Sequence, residues 1–240
     1  ESRNHVRGAA SGFNSDGWRP FGFRTEEAER QITRAEVATI FYRLLQDEAR
    51  ENVWSRTNSY SDVANGAWYN SAVSTLTNAG ILTGYEDGTF RPDAPITRAE
   101  FATIAARFYH APEVTGDAFS DISGSWARAY INRAAARGLI DGYEDGTFRP
   151  NQNIKRDEAM KIINKVLFRT PDKEHFLPDM IKWPDNSNTD AWYYTDVQEA
   201  TNNHDYERVN NTSPETWTKI TQARDWKALE AELAQKYPNR

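Results

Sequence analysis

Cysteine is absent from the 240 residues, and that absence removes disulfide frameworks, thiolate metal sites and cysteine nucleophiles together. The longest uninterrupted apolar runs are only a few residues, far short of the roughly 20 that span a bilayer, so membrane insertion is not expected. No basic, apolar, small-residue pattern opens the chain, so an exported protein would have lost its leader or would carry it outside this segment. No run of five or more Lys or Arg occurs and the net charge is −6, which argues against nucleic acid as a partner. His5, His110, His175 and His204 are scattered without a metal-binding spacing. No G-x-S-x-G or Walker-type loop is present. No cofactor and no metal are expected.

What the chain has in plenty is repetition and tryptophan. Gly84 to Pro92 reads GYEDGTFRP, and the same nine residues recur from Gly142 to Pro150. ITRAE stands at Ile32 to Glu36 and again at Ile96 to Glu100, with IKRDE at Ile154 to Glu158. An aromatic-Ser-Asp-aliphatic tetrad, Tyr60 to Val63 or Phe119 to Ile122, precedes each GYEDGTFRP and is followed by Trp68 or Trp126. Self-similarity at a fixed period signals a repeat architecture.

Local chemistry assigns structure to these pieces. Thr33 followed by Glu36 reads as a capping box, so a helix begins there. Its apolar positions Val37, Ile40, Phe41 and Leu44 are spaced i, i+3, i+4, i+7, and the spacing returns at Phe101, Ile104, Ala105 and Phe108 and at Ala159, Ile162, Ile163 and Val166. A second helix is expected from about Trp68 to Ala79 and from about Trp126 to Arg137, each stopped by a glycine, Gly80 or Gly138. Asp87-Gly88 and Asp145-Gly146 mark tight turns, and Pro92 and Pro150 prevent a helix there. Asp62, Asp121 and Asp185 read as helix caps rather than catalytic acids. Around Trp226, Leu229 and Leu233 the spacing predicts a terminal helix.

The repeats degrade at both ends. Gly12 to Pro20 (GFNSDGWRP) is a loose copy of the turn segment, and Ala191-Trp192-Tyr193 matches Ala67-Trp68-Tyr69 with no GYEDGTFRP after it. The expected organisation is a degenerate first unit at 1–50, a second at 51–110, a third at 111–170, and a partial unit with a C-terminal helix at 171–240. Residues 190–203 are expected to pack beside residues 33–45 and close a ring. The fold class is mainly α, built of helix-loop-helix repeats.

The run FSDI…W…GLIDGYEDGTFRPN…IKRDEA resembles the S-layer homology family, over roughly residues 30–168. The resemblance implies three units around a pseudo-three-fold axis, with degenerate flanks. It also implies noncovalent anchoring outside the cell, in the wall or S-layer of a bacterium, through a secondary wall polymer bearing a pyruvylated amino sugar. The family's sugar-contacting arginine carries over to Arg34, Arg98 and Arg156. Lys155 and Asp157 depart from the usual TRAE, which puts the third site in doubt.

Read without the family, an Arg just after an N-cap is electrostatically misplaced, at a cost of a few tenths of a kcal/mol to about one. Its recurrence with exposed backbone donors points to a carboxylate ligand; an ion pair with a neighbouring helix or with the Glu of its own motif explains it as well. Trp68, Trp126 and Trp192 can stack on a pyranose or pack in the core. Gly84 with Tyr85 and Gly142 with Tyr143 can line a groove, although turn geometry explains the glycines better. Thr97 and Lys155, each just ahead of a motif arginine, complete the candidate ligand-binding set. No enzyme activity is expected, because the acidic residues recur in every unit as scaffold residues do. The alternative reading is a self-association or protein-interaction module of a surface array.

Overall fold

The computed structural model describes residues 30–210 and 212–240. Among them are eight α-helices and one two-stranded sheet, so the chain is mainly α. Most of residues 1–31, including the loose turn copy at 12–20, lies outside the described residues. The described chain divides into two compact units, one of residues 31–154 with 225–240 and one of Arg30 with 155–224.

In the first unit, α1 (Arg34–Leu44) and α4 (Arg98–Phe108) begin at Thr33 and Thr97 with complete capping boxes. Each Thr side chain accepts from the Glu backbone N–H, and each Glu carboxylate accepts from the Thr backbone N–H. Two orphan donors are satisfied at each start. Between them lie α2 (Asp47–Val53) and α3 (Asn70–Asn78), and α5 (Arg128–Ala136) follows α4. Gly80 and Gly138 end α3 and α5 at φ of 69° and 68°. The residues after them, Ile81 and Leu139, donate back to Leu76 and Ala134 at 2.9 Å, closing each helix with a left-handed glycine.

The isoleucine that opens each motif forms the hub. Ile96 N–H donates to Ile32 O at 3.0 Å, Ile154 N–H to Ile96 O at 3.0 Å, and Ile32 N–H to Ile154 O at 3.2 Å. This closed ring relates three chain segments locally as a three-fold axis would. All three isoleucines are buried, so their backbone groups have no water to fall back on and must pair with one another.

Helices pair across the sequence repeat rather than within it. α3 packs on α1 and α5 on α4, so each motif helix takes the Trp-bearing helix of the next unit as its partner. Phe41 is central, its ring 5.6 Å from Phe101 and 5.2 Å from Phe108. The terminal α8 (Trp226–Lys236) adds Trp226 against Tyr42, Arg43 and Arg50. That helix is where the Trp226/Leu233 spacing predicts it.

The second unit holds α6 (Arg156–Val166), α7 (Tyr194–Thr201) and an antiparallel hairpin of β1 (His204–Glu207) and β2 (Thr216–Ile220). α7 packs on α6, which repeats the pairing rule. Within its own unit each of these helices has one partner of this kind, α6 for α7 and α3 for α1.

Candidate functional site

The motif arginines are built into the protein. Arg34 is 5% exposed. Its Nε donates to Phe90 O at 2.8 Å, Nη2 to Thr83 O at 3.1 Å and Nη1 to Glu100 Oε1 at 2.7 Å. Three of the five guanidinium N–H groups therefore hold the GYEDGTFRP loop and the start of α4. The ion pair is with the Glu of the following motif, not of its own. Arg98 repeats the grip on the next loop, donating to Phe148 O at 2.7 Å and Asp141 O at 2.9 Å. Arg156 is likewise buried.

Tyr85 and Tyr143 follow from this grip. Arg34 and Arg91 lie over the Tyr85 ring at 4.7 and 3.9 Å, and Arg98 and Arg149 over Tyr143 at 4.8 and 3.9 Å. Guanidinium stacking engages the rings that a sugar would need. The Tyr85 hydroxyl donates to Glu100 Oε1 at 2.6 Å; burial, and then this bond, raise its pKa. Gly84 and Gly142 are required by close packing. A Cβ on Gly84 would sit 2.3 Å from Tyr60 Cε1, and one on Gly142 at 2.3 Å from Phe119 Cε1.

Asp62 and Asp121 are not helix caps. The two Asp62 oxygens accept from Phe90 N–H and Arg91 N–H, both at 2.7 Å, and Asp121 does the same for Phe148 and Arg149. Arg91 and Arg149 each have φ of 57°, a left-handed conformation that these paired bonds hold in place. The tetrad and the turn recur together, but the span from Asp to Phe is 28 residues in one copy and 27 in the other.

The first unit contains an open groove of about 770 Å³, lined by Arg34, Tyr85, Arg91, Thr97, Glu100, Arg107, Trp126 and Asn151 among others. It brings together Arg34, Gly84, Tyr85, Thr97 and Trp126 from the expected set. Arg91, Arg107 and Asn151 were not singled out from the sequence. Trp126 is 65% exposed, and Trp68 and Trp192 are 46% and 56% exposed, so none of the three is a core residue. Helices α3, α5 and α7 begin two residues after each Trp, which leaves the indoles on the preceding turn. Trp68 and Trp192 are braced edge-on by Tyr69 and Tyr193 at 5.2 and 5.5 Å.

The second unit repeats part of the arrangement. Lys161 Nζ, on α6, lies 5.5 Å from the Trp192 ring centroid, and Thr103 is its counterpart on α4. The departure at Lys155 and Asp157 has a local consequence. Lys155 cannot accept a hydrogen bond, so the Glu158 N–H is taken instead by Asp157 Oδ1 at 2.7 Å. Glu158 still accepts from Lys155 N–H at 2.9 Å. The helix start is rebuilt from a different side chain.

Glu199, His204 and Glu215 bring one potential metal-ligand atom each within 4.8 Å of one another. Arg169 already reaches all three, pairing with Glu199, with Glu215 Oε2 at 2.7 Å and with His204 Nε2 at 2.6 Å. The guanidinium supplies the cation that the carboxylates need.

The S-layer homology domain model matches residues 59–102 and 118–160. Over 192 residues, 74% of the chain, the sequence is 36% identical to cell surface glycoprotein 1 of Acetivibrio thermocellus, 8% of that protein's length. Over 185 residues, also 74%, it is 37% identical to the cellulosome-anchoring protein of the same organism, 40% of its length. An amylopullulanase of Thermoanaerobacterium thermosulfurigenes shares 35% identity over 152 residues, 59% of the chain and 8% of that protein. The chain thus spans less than half the length of each of these relatives. The repeated motifs, the matching domain model and these relatives agree, and the chain belongs to the S-layer homology family.

Proposed function

We propose that this chain is a noncatalytic anchoring module that holds a surface protein on a bacterial cell wall by binding a secondary polymer with an acidic, pyruvylated amino sugar. The observation that carries the reading is Trp126, a largely exposed indole in one groove with Arg91 and Arg107. An apolar plate beside cations suits a saccharide that bears a carboxylate. The groove volume lies in the usual range of about 300–1,000 Å³ for small-ligand sites. Arg34 presents the groove floor, and its bonds to the described residues use three of its five N–H groups. The names of the cell surface glycoprotein and the cellulosome-anchoring protein support a place at the cell surface. The region shared with the amylopullulanase is a small part of that protein, which accords with a binding module rather than a catalytic one.

Calorimetric titration with purified wall polymer, before and after removal of its pyruvate ketals, tests the reading. Binding should fall at least ten-fold on ketal removal and in Trp126→Ala. Undiminished binding in both cases overturns it. The exposure of Trp68 and Trp192 favours a second reading, self-association, which predicts a concentration-dependent sedimentation coefficient without glycan.

A further inference from the structure

Nine residues after its motif arginine, each motif helix carries a cation in its last turn: Arg43 in α1, Arg107 in α4 and Lys165 in α6. Two of the three have an acidic side chain of the protein acting on them. Arg43 has Glu230 and the Trp226 ring, both supplied by α8. Lys165 has Asp196 of α7. Arg107 has only a neutral phenol, donating to Tyr130 Oη at 3.2 Å with the ring at 4.7 Å. Among the described residues, no carboxylate lies within ion-pair distance of Arg107.

A pocket of about 350 Å³ opens at that side chain, lined by Arg107, His110, Tyr130 and Arg133 with small residues behind them and no carboxylate among its lining. Arg133 also lies over the Tyr130 ring, at 5.4 Å. Among the described residues its one acidic partner is Glu113, whose side chain is 86% exposed. Such a pair is worth little in water and is readily exchanged for a ligand. Arg107 and Thr83 line both this pocket and the Trp126 groove, so the two spaces adjoin.

We propose that the Arg107–Arg133 pocket is a second anion subsite, which takes the carboxylate or phosphate of the saccharide next to the one seated at Trp126. The proposal rests on the glycan-binding reading above and extends it from one sugar to two or more. The other two repeats carry their own answer at this position, a built-in acidic residue, whereas the second repeat leaves the place to the ligand. The counterparts of Tyr130 and Arg133 on α7 are Asp196 and Glu199, so the subsite belongs to the second repeat alone among these two. A two-site grip on one strand raises avidity through effective concentration without a tight single contact.

The test is titration of the full chain with mono-, di- and trisaccharides from the wall polymer, each native, ketal-free after mild acid, or phosphate-free after hydrofluoric acid. The wild type should bind the di- or trisaccharide at least ten-fold more tightly than the monosaccharide. Arg133→Gln should abolish that gain and leave the monosaccharide affinity unchanged. Glu113→Gln, which removes the competing carboxylate, should strengthen the longer ligands a few-fold. Loss of the gain in the ketal-free arm identifies a carboxylate, and in the phosphate-free arm a phosphate. A trisaccharide no tighter than the monosaccharide, or one indifferent to Arg133→Gln, overturns the subsite alone. Failure of every saccharide to bind overturns both readings.

Discussion

Arg34 and Glu100 are joined across 66 residues of sequence, Nη1 donating to Oε1 at 2.7 Å with both side chains largely buried. The same carboxylate caps α4 through Thr97 N–H at 2.8 Å and accepts from the Tyr85 hydroxyl. One side chain thus fixes a helix start, the preceding turn and the arginine on the groove floor.

Removing one partner of a buried pair leaves the other charge without compensation, at roughly 3–5 kcal/mol. Glu100→Ala should therefore cost several kcal/mol in urea unfolding followed by tryptophan fluorescence. Thr97→Ala loses the N-cap bond to Glu100 N–H, for which about 1 kcal/mol is expected. Equal losses in the two variants would show that the cap, not the bond to Arg34, governs the effect.

Gly84→Ala places a methyl 2.3 Å from Tyr60 Cε1 and 2.6 Å from Thr89 O. Overpacking of this kind costs about 1–3 kcal/mol or more. Tyr60→Ala, added to it, should not restore stability, because the carbonyl is backbone and cannot swing aside. Gly66→Ala, with nothing within 4 Å, is the control and should shift the unfolding midpoint little.

The parts of the fold that are legible in the sequence are those decided within a few residues. Thr33 and Glu36 declare a capping box, Gly80 and Gly138 declare helix ends, and the nine-residue repeat declares equivalence. Contacts between distant residues are not declared. Nothing near Asp62 says that it holds the backbone of Phe90 and Arg91, 28 and 29 residues on. Nothing in α1 says that its partner is α3. The hairpin escaped notice because its strands are four and five residues long, with a register shift between Asp205 and Tyr206. At the candidate site, the motifs point to Arg34, Tyr85 and Trp126, but Arg107 carries no motif of its own and enters only through the groove.

Asp87 and Asp145 set a pH limit on the repeat turns. The Asp87 carboxylate accepts from the Thr89 hydroxyl at 2.6 Å, from Arg91 Nη2 at 2.9 Å and from Thr89 N–H at 3.0 Å, which lowers its pKa to about 2. The Thr147 hydroxyl, Thr147 N–H and Arg149 do the same for Asp145, also to about 2. A carboxyl depressed in the folded state contributes stability that is fully present above its unfolded value, 3.8, and is lost as pH falls through the folded one. Stability should therefore drop between about pH 4 and pH 2, less steeply in Asp87→Asn/Asp145→Asn. Carboxyl NMR titration should place both midpoints near 2; midpoints near 3.8 would show that the turns do not hold these bonds.

Arg169 is the counter-charge of the second unit. It reaches Glu199 and Glu215, both fully buried, and touches His204, whose ring stacks on Trp217 at 3.8 Å. Trp217 Nε1 in turn donates to Glu199 at 2.9 Å, so the cluster ties the hairpin to α7. Arg169→Met keeps the aliphatic volume and leaves Glu199 with His204 at 3.1 Å and Glu215 with Arg208 at 3.5 Å, too little compensation for two buried carboxylates that each cost several kcal/mol unless protonated. The variant should unfold at least 3 kcal/mol more easily at pH 7, on the scale of about 3–5 kcal/mol for a broken buried pair, and recover part of that loss near pH 5 as the carboxylates protonate. Adding Glu215→Gln, which removes one stranded charge, should recover part of it at pH 7 as well. A single variant as stable as the wild type at pH 7 would mean that water reaches the cluster and that Arg169 is not what holds the hairpin to α7.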